Sequence, residues 1–150
     1  MRLISVTACT LMLVACGGEK QSADSAAGTG AGAASATASV DPATLDPKTI
    51  TPDELALGDS LFHGLIGATS CQACHGPDAK GGPAAPNLTD STWLHSDGSF
   101  GAIYHQIETG VPQPKVASGV MPPFGGASMT PKQHRSVAAY VYSLSHKVGK

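Results

Sequence analysis

The sequence has little charge and few aromatic side chains. Of its 150 residues, 13% are Asp, Glu, Lys or Arg and 5% are aromatic, and the formal net charge is −2. A nucleic-acid-binding protein needs clustered Lys and Arg to displace counterions from phosphates. No nucleic-acid partner is therefore expected. The length suits one modest domain with extensions.

The N-terminal apolar run is too short to cross a bilayer, which takes about 20 residues. Residues 3–14 follow Arg2 and have the length of a signal-peptide core. The run ends in the letters LVAC at residues 13–16, which resemble the lipobox of bacterial lipoproteins. Residues 1–15 are therefore predicted to be a lipoprotein signal peptide, and Cys16 is predicted to carry lipid. A plain secretory signal with an incidental cysteine is the alternative.

Residues 16–50 are predicted to be a flexible tether between Cys16 and the domain. Residues 17–39 are nearly all Ala, Gly, Ser and Thr, with no apolar periodicity, and Pro42 and Pro47 follow. The expected location is the periplasmic side of a bacterial membrane. Gly17, rather than Asp, follows the cysteine, which by resemblance to the enteric sorting rule favours the outer membrane.

Residues 51–150 are predicted to form a small all-α domain with three to four short helices and long loops. The letters TPDE at 51–54 and TPKQ at 130–133 are typical of helix starts with capping boxes. A further helix is predicted over 99–108, with Gly110 as its left-handed C-terminal residue. Gly58, inside the first helix, predicts that another backbone crosses there. Three phenylalanines make a thin core, so the loops need added apolar mass to pack against.

The letters SCQACHG at residues 70–76 supply the chemistry. Cys9 lies in the signal peptide and Cys16 is assigned to lipid, so Cys71 and Cys74 belong to one motif. Cys-x-x-Cys-His in an exported chain is the attachment site of c-type haem. The two thiols form thioethers with one porphyrin edge, and the turn delivers His75 to the iron. One covalent haem c, with its iron, is the predicted cofactor.

The same motif has two alternative uses. A zinc site would join Cys71, Cys74 and His75 to His63, His95 or His105, but structural zinc sites usually pair two separated knuckles, and no second knuckle is present. A disulfide exchanger ordinarily places its motif at a helix start after a strand, and no strand pattern precedes residue 71.

Met121 is the predicted second axial ligand of the iron. It lies in the letters GVMPPFG at 119–125, a loop that its prolines exclude from helix and central strand. Met129 directly precedes a helix cap, where an apolar residue usually packs as a hydrophobic staple. Met129 is therefore expected in the core. His95 and His105 are the rival ligands, with surface positions the simpler expectation for both.

Taken in order, these motifs resemble a class I cytochrome c domain over residues 51–146. Within that class, the sequence resembles the single-haem domains in cytochrome subunits of C-family haem–copper oxidases. The resemblance implies that the Pro86 carbonyl accepts the ring N–H of His75, that Leu88 packs on the haem, and that the indole of Trp93 meets a haem propionate. It also implies that Gly58 and Phe62 meet an aromatic residue of the last helix, Tyr140.

The expected function is one-electron transfer between respiratory-chain proteins rather than catalysis. A haem with His and Met ligands has no vacant position, and methionine favours the ferrous form. The expected partners are a redox donor and acceptor, with a membrane oxidase or dehydrogenase as candidates, and the lipid membrane through Cys16. Docking is expected through the apolar rim of residues 121–124 and 84–85. The alternative is a gas sensor or peroxidase-like protein with a labile Met ligand.

Overall fold

The computed structural model describes residues 40–148. The regular secondary structure in this range is helical, and loops connect the helices. Its α-helices are α1 (Pro52–Phe62), α2 (Gln72–His75), α3 (Phe100–Thr109) and α4 (Pro131–Ser145), with short 3₁₀ turns at Pro42–Thr44, Pro47–Thr49 and Pro123–Gly126. Within the described range the only β-pairing is an isolated antiparallel bridge between Val111 and Met121. The predicted all-α architecture is confirmed. None of the described helices has the length and apolarity to span a membrane.

Both predicted capping boxes are present. The Thr51 hydroxyl accepts the Glu54 N–H at 3.2 Å, and the Glu54 carboxylate accepts the Thr51 N–H at 2.9 Å. Thr130 and Gln133 make the same pair of bonds at the start of α4. Each cap satisfies backbone donors that have no partner inside the helix, so the first and last helices begin at sequence-defined positions.

Helices α1 and α4 cross in close contact within the core. A side chain at Gly58 would overlap the backbone carbonyl of Ser136, so only glycine fits there. Phe62 and Tyr140 lie with their ring centroids 5.3 Å apart. The close backbone approach predicted from Gly58, and its meeting with Tyr140, are both observed.

A polar contact also joins the first and last helices. The Nε of Arg135 donates to the Glu54 carboxylate at 2.6 Å, and its other guanidinium nitrogen donates to Thr49 at 2.9 Å. The guanidinium lies 5.2 Å from the centroid of the Phe100 ring. Burial raises the pKa of Glu54, but the hydrogen bonds from Thr51 and Arg135 outweigh it, and the net pKa is lowered.

The helix predicted over 99–108 is displaced by one residue, and its C-terminal glycine differs from the expectation. Ser99 is the N-cap and accepts the Ala102 N–H, so α3 itself starts at Phe100. Gly110 has φ 72° but ψ −169°, which is outside the left-handed helical region. The Val111–Met121 bridge extends the chain here, and a side chain at Gly110 would overlap the Met121 carbonyl.

The packed unit begins earlier than the predicted boundary at residue 51. Asp41 and Asp46 cap the two 3₁₀ turns, each accepting a backbone N–H two residues on at 2.9 Å. Ile50 is buried, and Val40 and Leu45 pack against the core. The prolines of this segment, which the sequence placed in the tether, begin these two packed turns. The rest of the predicted tether, with Cys16 and the signal peptide, lies outside the described residues.

A buried histidine in α4 was not expected from the sequence. His134 is 3% exposed and stacks on Tyr104 of α3 with ring centroids 3.6 Å apart. Its Nε2–H donates to the Tyr104 carbonyl at 2.8 Å. The sequence carried a usable indication, because His134 lies three and seven residues before the buried Val137 and Val141 and so shares their helical stripe.

Candidate haem-binding site

A large open cleft lies beside the helical core. About 1240 Å³ of space that no protein atom fills lies between its walls, open solvent at its mouth included. Its lining is predominantly apolar. Every site residue predicted from the sequence lines this one cleft, namely Cys71, Cys74, His75, Pro86, Leu88, Trp93 and Met121.

The first helical turn after Ser70 presents the two cysteines and the histidine together. Cys71 caps α2, and Cys74 and His75 end it. Both thiols are free rather than joined in a disulfide. Burial raises the pKa of the Cys71 thiol, whereas a disulfide exchanger needs a thiol of lowered pKa. The environment therefore does not favour the exchanger alternative.

The His75 ring is held in one orientation. Its Nδ1 lies 3.0 Å from the Pro86 carbonyl oxygen. A carbonyl only accepts, so Nδ1 carries the proton and Nε2 keeps its lone pair for a metal. Burial lowers the pKa of His75, which favours the neutral imidazole that ligation requires. This is the hydrogen bond that the resemblance implied, and such bonds fix ligand tautomer and orientation.

Backbone hydrogen bonds hold the Pro86 segment against the motif. The Gly81 N–H donates to the His75 carbonyl at 2.8 Å, and the Leu88 N–H donates to the Ala79 carbonyl at 2.8 Å. Ala79 is buried and has φ 54°, an uncommon value for a non-glycine residue. The chain between residues 76 and 88 thus folds back on α2, and this return places Pro86 and Leu88 at the cleft.

The Met121 loop is attached to the fold at both ends. Val111 and Met121 exchange backbone hydrogen bonds of 2.7 and 3.1 Å. The N–H groups of Ser118 and Gly119 donate to the carbonyls of residues 83 and 84 at 3.0 and 3.1 Å. The long loop over 112–120 is therefore fixed against the Pro86 segment, and Met121 has a defined backbone position.

The other residues considered as metal ligands divide into those that line the cleft and those that lie outside it. Met129 and His95 also line the cleft, so lining alone does not separate them from Met121. His105 is exposed on α3, 3.8 Å from Glu108, and is not part of the lining. His63 is engaged by the Pro77 carbonyl at 3.0 Å and by Asp59.

The zinc alternative finds no support in the described range. No group of three or more His, Cys, Asp or Glu side chains there is arranged to hold a metal ion. By contrast, two thiols and a neutral imidazole at one edge of a large apolar cleft match the needs of a covalently attached haem. The residues present therefore fit this cofactor.

Comparison with known proteins agrees with a cytochrome c domain. The family model described as cytochrome c oxidase, cbb3-type, subunit III matches residues 58–141. The chain is 40% identical over 94 residues to the cbb3-type cytochrome c oxidase subunit CcoP of Rubrivivax gelatinosus, covering 63% of this chain and 27% of that protein. It is 42% identical over 79 residues to the FixP subunit of Rhizobium meliloti, covering 51% and 27%. The chain thus spans about a quarter of the length of these relatives.

Among solved structures, cytochrome cL of Hyphomicrobium denitrificans aligns with a TM-score of 0.49 at 22% identity, over 65% of this chain and 51% of that one. The helices, the Cys-x-x-Cys-His turn and the cleft define a class I c-type cytochrome, whose cofactor is covalent haem c. By the match over residues 58–141, the chain belongs to the cbb3-type cytochrome c oxidase subunit III family.

Proposed function

We propose that this domain is a one-electron carrier with His75 and Met121 as the axial ligands of its haem iron. The haem supplies an iron that changes oxidation state by one electron. The observation that carries the proposal is that one cleft gathers both cysteines, Met121 and a His75 whose Nδ1 is already occupied by Pro86. This arrangement binds and orients a cofactor, and it assigns no residue to acid–base catalysis.

Closure of the iron by two protein ligands favours electron transfer over ligand binding. The bridge to Val111 fixes the Met121 backbone, and the two prolines that follow restrict it further. A ligand held in this way changes position little between oxidation states. The same constraint would oppose displacement of Met121 by carbon monoxide or peroxide.

The partner in electron exchange is proposed to be a membrane redox complex. The similar proteins are named as cbb3-type oxidase subunits, which makes an oxidase the first candidate. Docking would use the apolar rim of residues 121–124 and 84–85. Two further residues of the cleft lining, Val116 and Val120, add to it and are 73% and 61% exposed. Ala85, expected to belong to this rim, is buried, so only Ala84 of that pair is available.

The proposal includes a location on the periplasmic side of a bacterial membrane. A lipid on Cys16 would anchor the protein there, and the outer membrane is favoured. This part of the proposal is supported by the lipobox-like letters at residues 13–16, which lie outside the described range. Mass spectrometry of the mature N-terminus tests it. A mass without lipid, or an N-terminus other than Cys16, would remove the anchor from the proposal.

The ligation is tested by optical spectroscopy of the protein produced with a haem-attachment system. Met121→Leu should abolish the methionine-to-iron charge-transfer band of the ferric form and allow carbon monoxide to bind the ferrous form. Met129→Leu is the matched control, because it makes the same change at the other cleft methionine, and it should leave both properties unchanged. The opposite pattern would make Met129 the ligand. Carbon monoxide binding by the wild type would favour a sensor or peroxidase-like role.

A further inference from the structure

The lining of the cleft contains very few charged side chains. Within the described range its lining contains no aspartate or glutamate, and Lys115 is its single lysine or arginine. Thr92, His95 and Gln106 add uncharged or titratable polar groups to the lining. A haem carries two carboxylates, and taking an unpaired carboxylate out of water is costly. A propionate that leaves water therefore gains from a hydrogen-bonding or charged partner, and Lys115 supplies the only permanent positive charge in the lining.

Lys115 is attached to the segment that follows Trp93. Its Nζ donates to the Leu94 carbonyl, and its backbone N–H donates to His95 Nε2 at 3.4 Å. Leu94, His95 and Trp93 all line the cleft. The two contacts bring the 112–120 loop and the 93–95 segment together. The lysine is thereby held against the segment that follows Trp93, the residue whose indole is expected at a haem propionate from the family resemblance alone.

The ammonium group retains hydrogen-bonding capacity. An ammonium has three donors, and the Leu94 carbonyl takes one of them. The lysine is exposed at the cleft mouth rather than sealed in the core, so its charge is not strongly desolvated. Charge-assisted bonds from ammonium to carboxylate are roughly twice as strong as neutral ones.

We propose that Lys115 binds a haem propionate and thereby tunes the reduction potential. The proposal rests on the proposed function, because it requires the haem to occupy this cleft. A positive charge beside the propionate offsets its negative charge, and a propionate left unpaired stabilises the ferric iron. Loss of the Lys115 charge should therefore lower the midpoint potential. It should also make the potential depend on pH, because an unpaired propionate is protonated more easily.

The test compares three variants of the haem-loaded protein by spectroelectrochemical titration between pH 5 and 8. Lys115→Gln removes the charge but keeps an N–H donor for the Leu94 carbonyl. Lys115→Arg keeps the charge. Lys132→Gln makes the same charge change at an exposed lysine of α4 that is not in the cleft lining. Resonance Raman spectra record the propionate bending bands of each variant.

The expected result is a lower and more pH-dependent potential for Lys115→Gln, with a shifted propionate band. Lys115→Arg and Lys132→Gln should stay close to the wild type. Equal behaviour of Lys115→Gln and Lys132→Gln would overturn the assignment, and so would a normal propionate band in Lys115→Gln. The methionine-to-iron band separates the two proposals: if the wild type lacks it, the ligation proposal fails, whereas an unmoved potential with the band intact refutes only the role of Lys115.

Discussion

The crossing of α1 and α4 and the haem cleft are two sides of one small domain, and they are stabilised in different ways. At the crossing, protein packs on protein: Gly58 lies under the Ser136 carbonyl, and Phe62 lies against Tyr140. At the cleft, apolar side chains from several loops face about 1240 Å³ of space. The loops of the lining are held by scattered backbone hydrogen bonds, whereas α3 and α4 contribute to the rest of the wall.

This contrast shows which part of the domain depends on the cofactor. Apolar surface stabilises a fold only when it is removed from water, at about 25 cal/mol per Å². The crossing meets this condition by itself. The loops over 76–98 and 110–122 direct much of their apolar surface into the cleft, so we expect the haem to act as part of the core as well as the redox centre.

Removal of the covalent haem tests the contrast most severely. The double variant Cys71→Ala/Cys74→Ala should lose cooperative unfolding or more than about 5 kcal/mol of stability, the scale of a small domain's entire margin. Hydrogen exchange should show residual protection in α1 and α4 and rapid exchange at residues 111–121. The haem-loaded wild type is the reference. A haem-free protein that unfolds cooperatively within about 1 kcal/mol of it would show that the loops stand without the cofactor.

Gly58→Ala tests the packing at the crossing of α1 and α4. The added methyl would overlap the backbone carbonyl of Ser136, which cannot rotate away as a side chain can. Overpacking costs about 1–3 kcal/mol, and alanine recovers less than about 1 kcal/mol in helix propensity. Because the clash is with backbone atoms, the upper end of the overpacking range applies. A net loss of about 2 kcal/mol is therefore expected from denaturant unfolding of the haem-loaded protein.

Gly82→Ala is the control for this substitution. A side chain there would meet no atom within 4 Å, and the residue has no positive φ. Its stability should therefore stay within about 0.5 kcal/mol of the wild type. If Gly58→Ala were equally harmless, the two helices would have room to separate, and the crossing would not be the rigid part of the domain.

The same contrast decides what the sequence could predict. The helix starts were predictable because Thr51 and Thr130 act within three residues of themselves. The Cys-x-x-Cys-His turn is equally local. The glycine at position 58 indicated a crossing by itself, but its partner Tyr140 was named only by the family resemblance. For the His75–Pro86 hydrogen bond the prediction came from the family resemblance rather than from any local rule.

Contacts between distant loops were not predictable. The Val111–Met121 bridge depends on a ten-residue closure that no turn motif encodes, and it explains why Gly110 leaves the left-handed region. The contact of Lys115 with Leu94 joins segments 21 residues apart. The packed turns at prolines 42 and 47 were missed for a related reason, because a proline beside a capping aspartate suits both a stiff linker and a 3₁₀ turn.

The smallest expected effect is on the pH dependence of the unfolding free energy. His134 and His63 should change it in opposite directions on acidification. Burial lowers the pKa of His134, against the raising effects of the Tyr104 carbonyl and of Glu108. Its contribution to stability is therefore present above the unfolded pKa near 6.5 and is lost as pH falls through the folded value. The Pro77 and Asp59 carbonyls raise the pKa of His63, so its contribution is present below about pH 6.5 and is lost as pH rises through the folded value.

The measurement is the change in unfolding free energy of the haem-loaded protein between pH 7 and pH 5. His134→Gln should lose less stability than the wild type on acidification, because the proton uptake by the unfolded chain is removed. His63→Gln should lose more, by a smaller amount, since His63 lies nearer the solvent. His75 is common to all three proteins, so its titration cancels. If both variants changed the pH dependence of the unfolding free energy in the same direction, burial of His134 between α3 and α4 would not set its protonation. The helical core would then be less tightly packed than the contrast with the cleft implies.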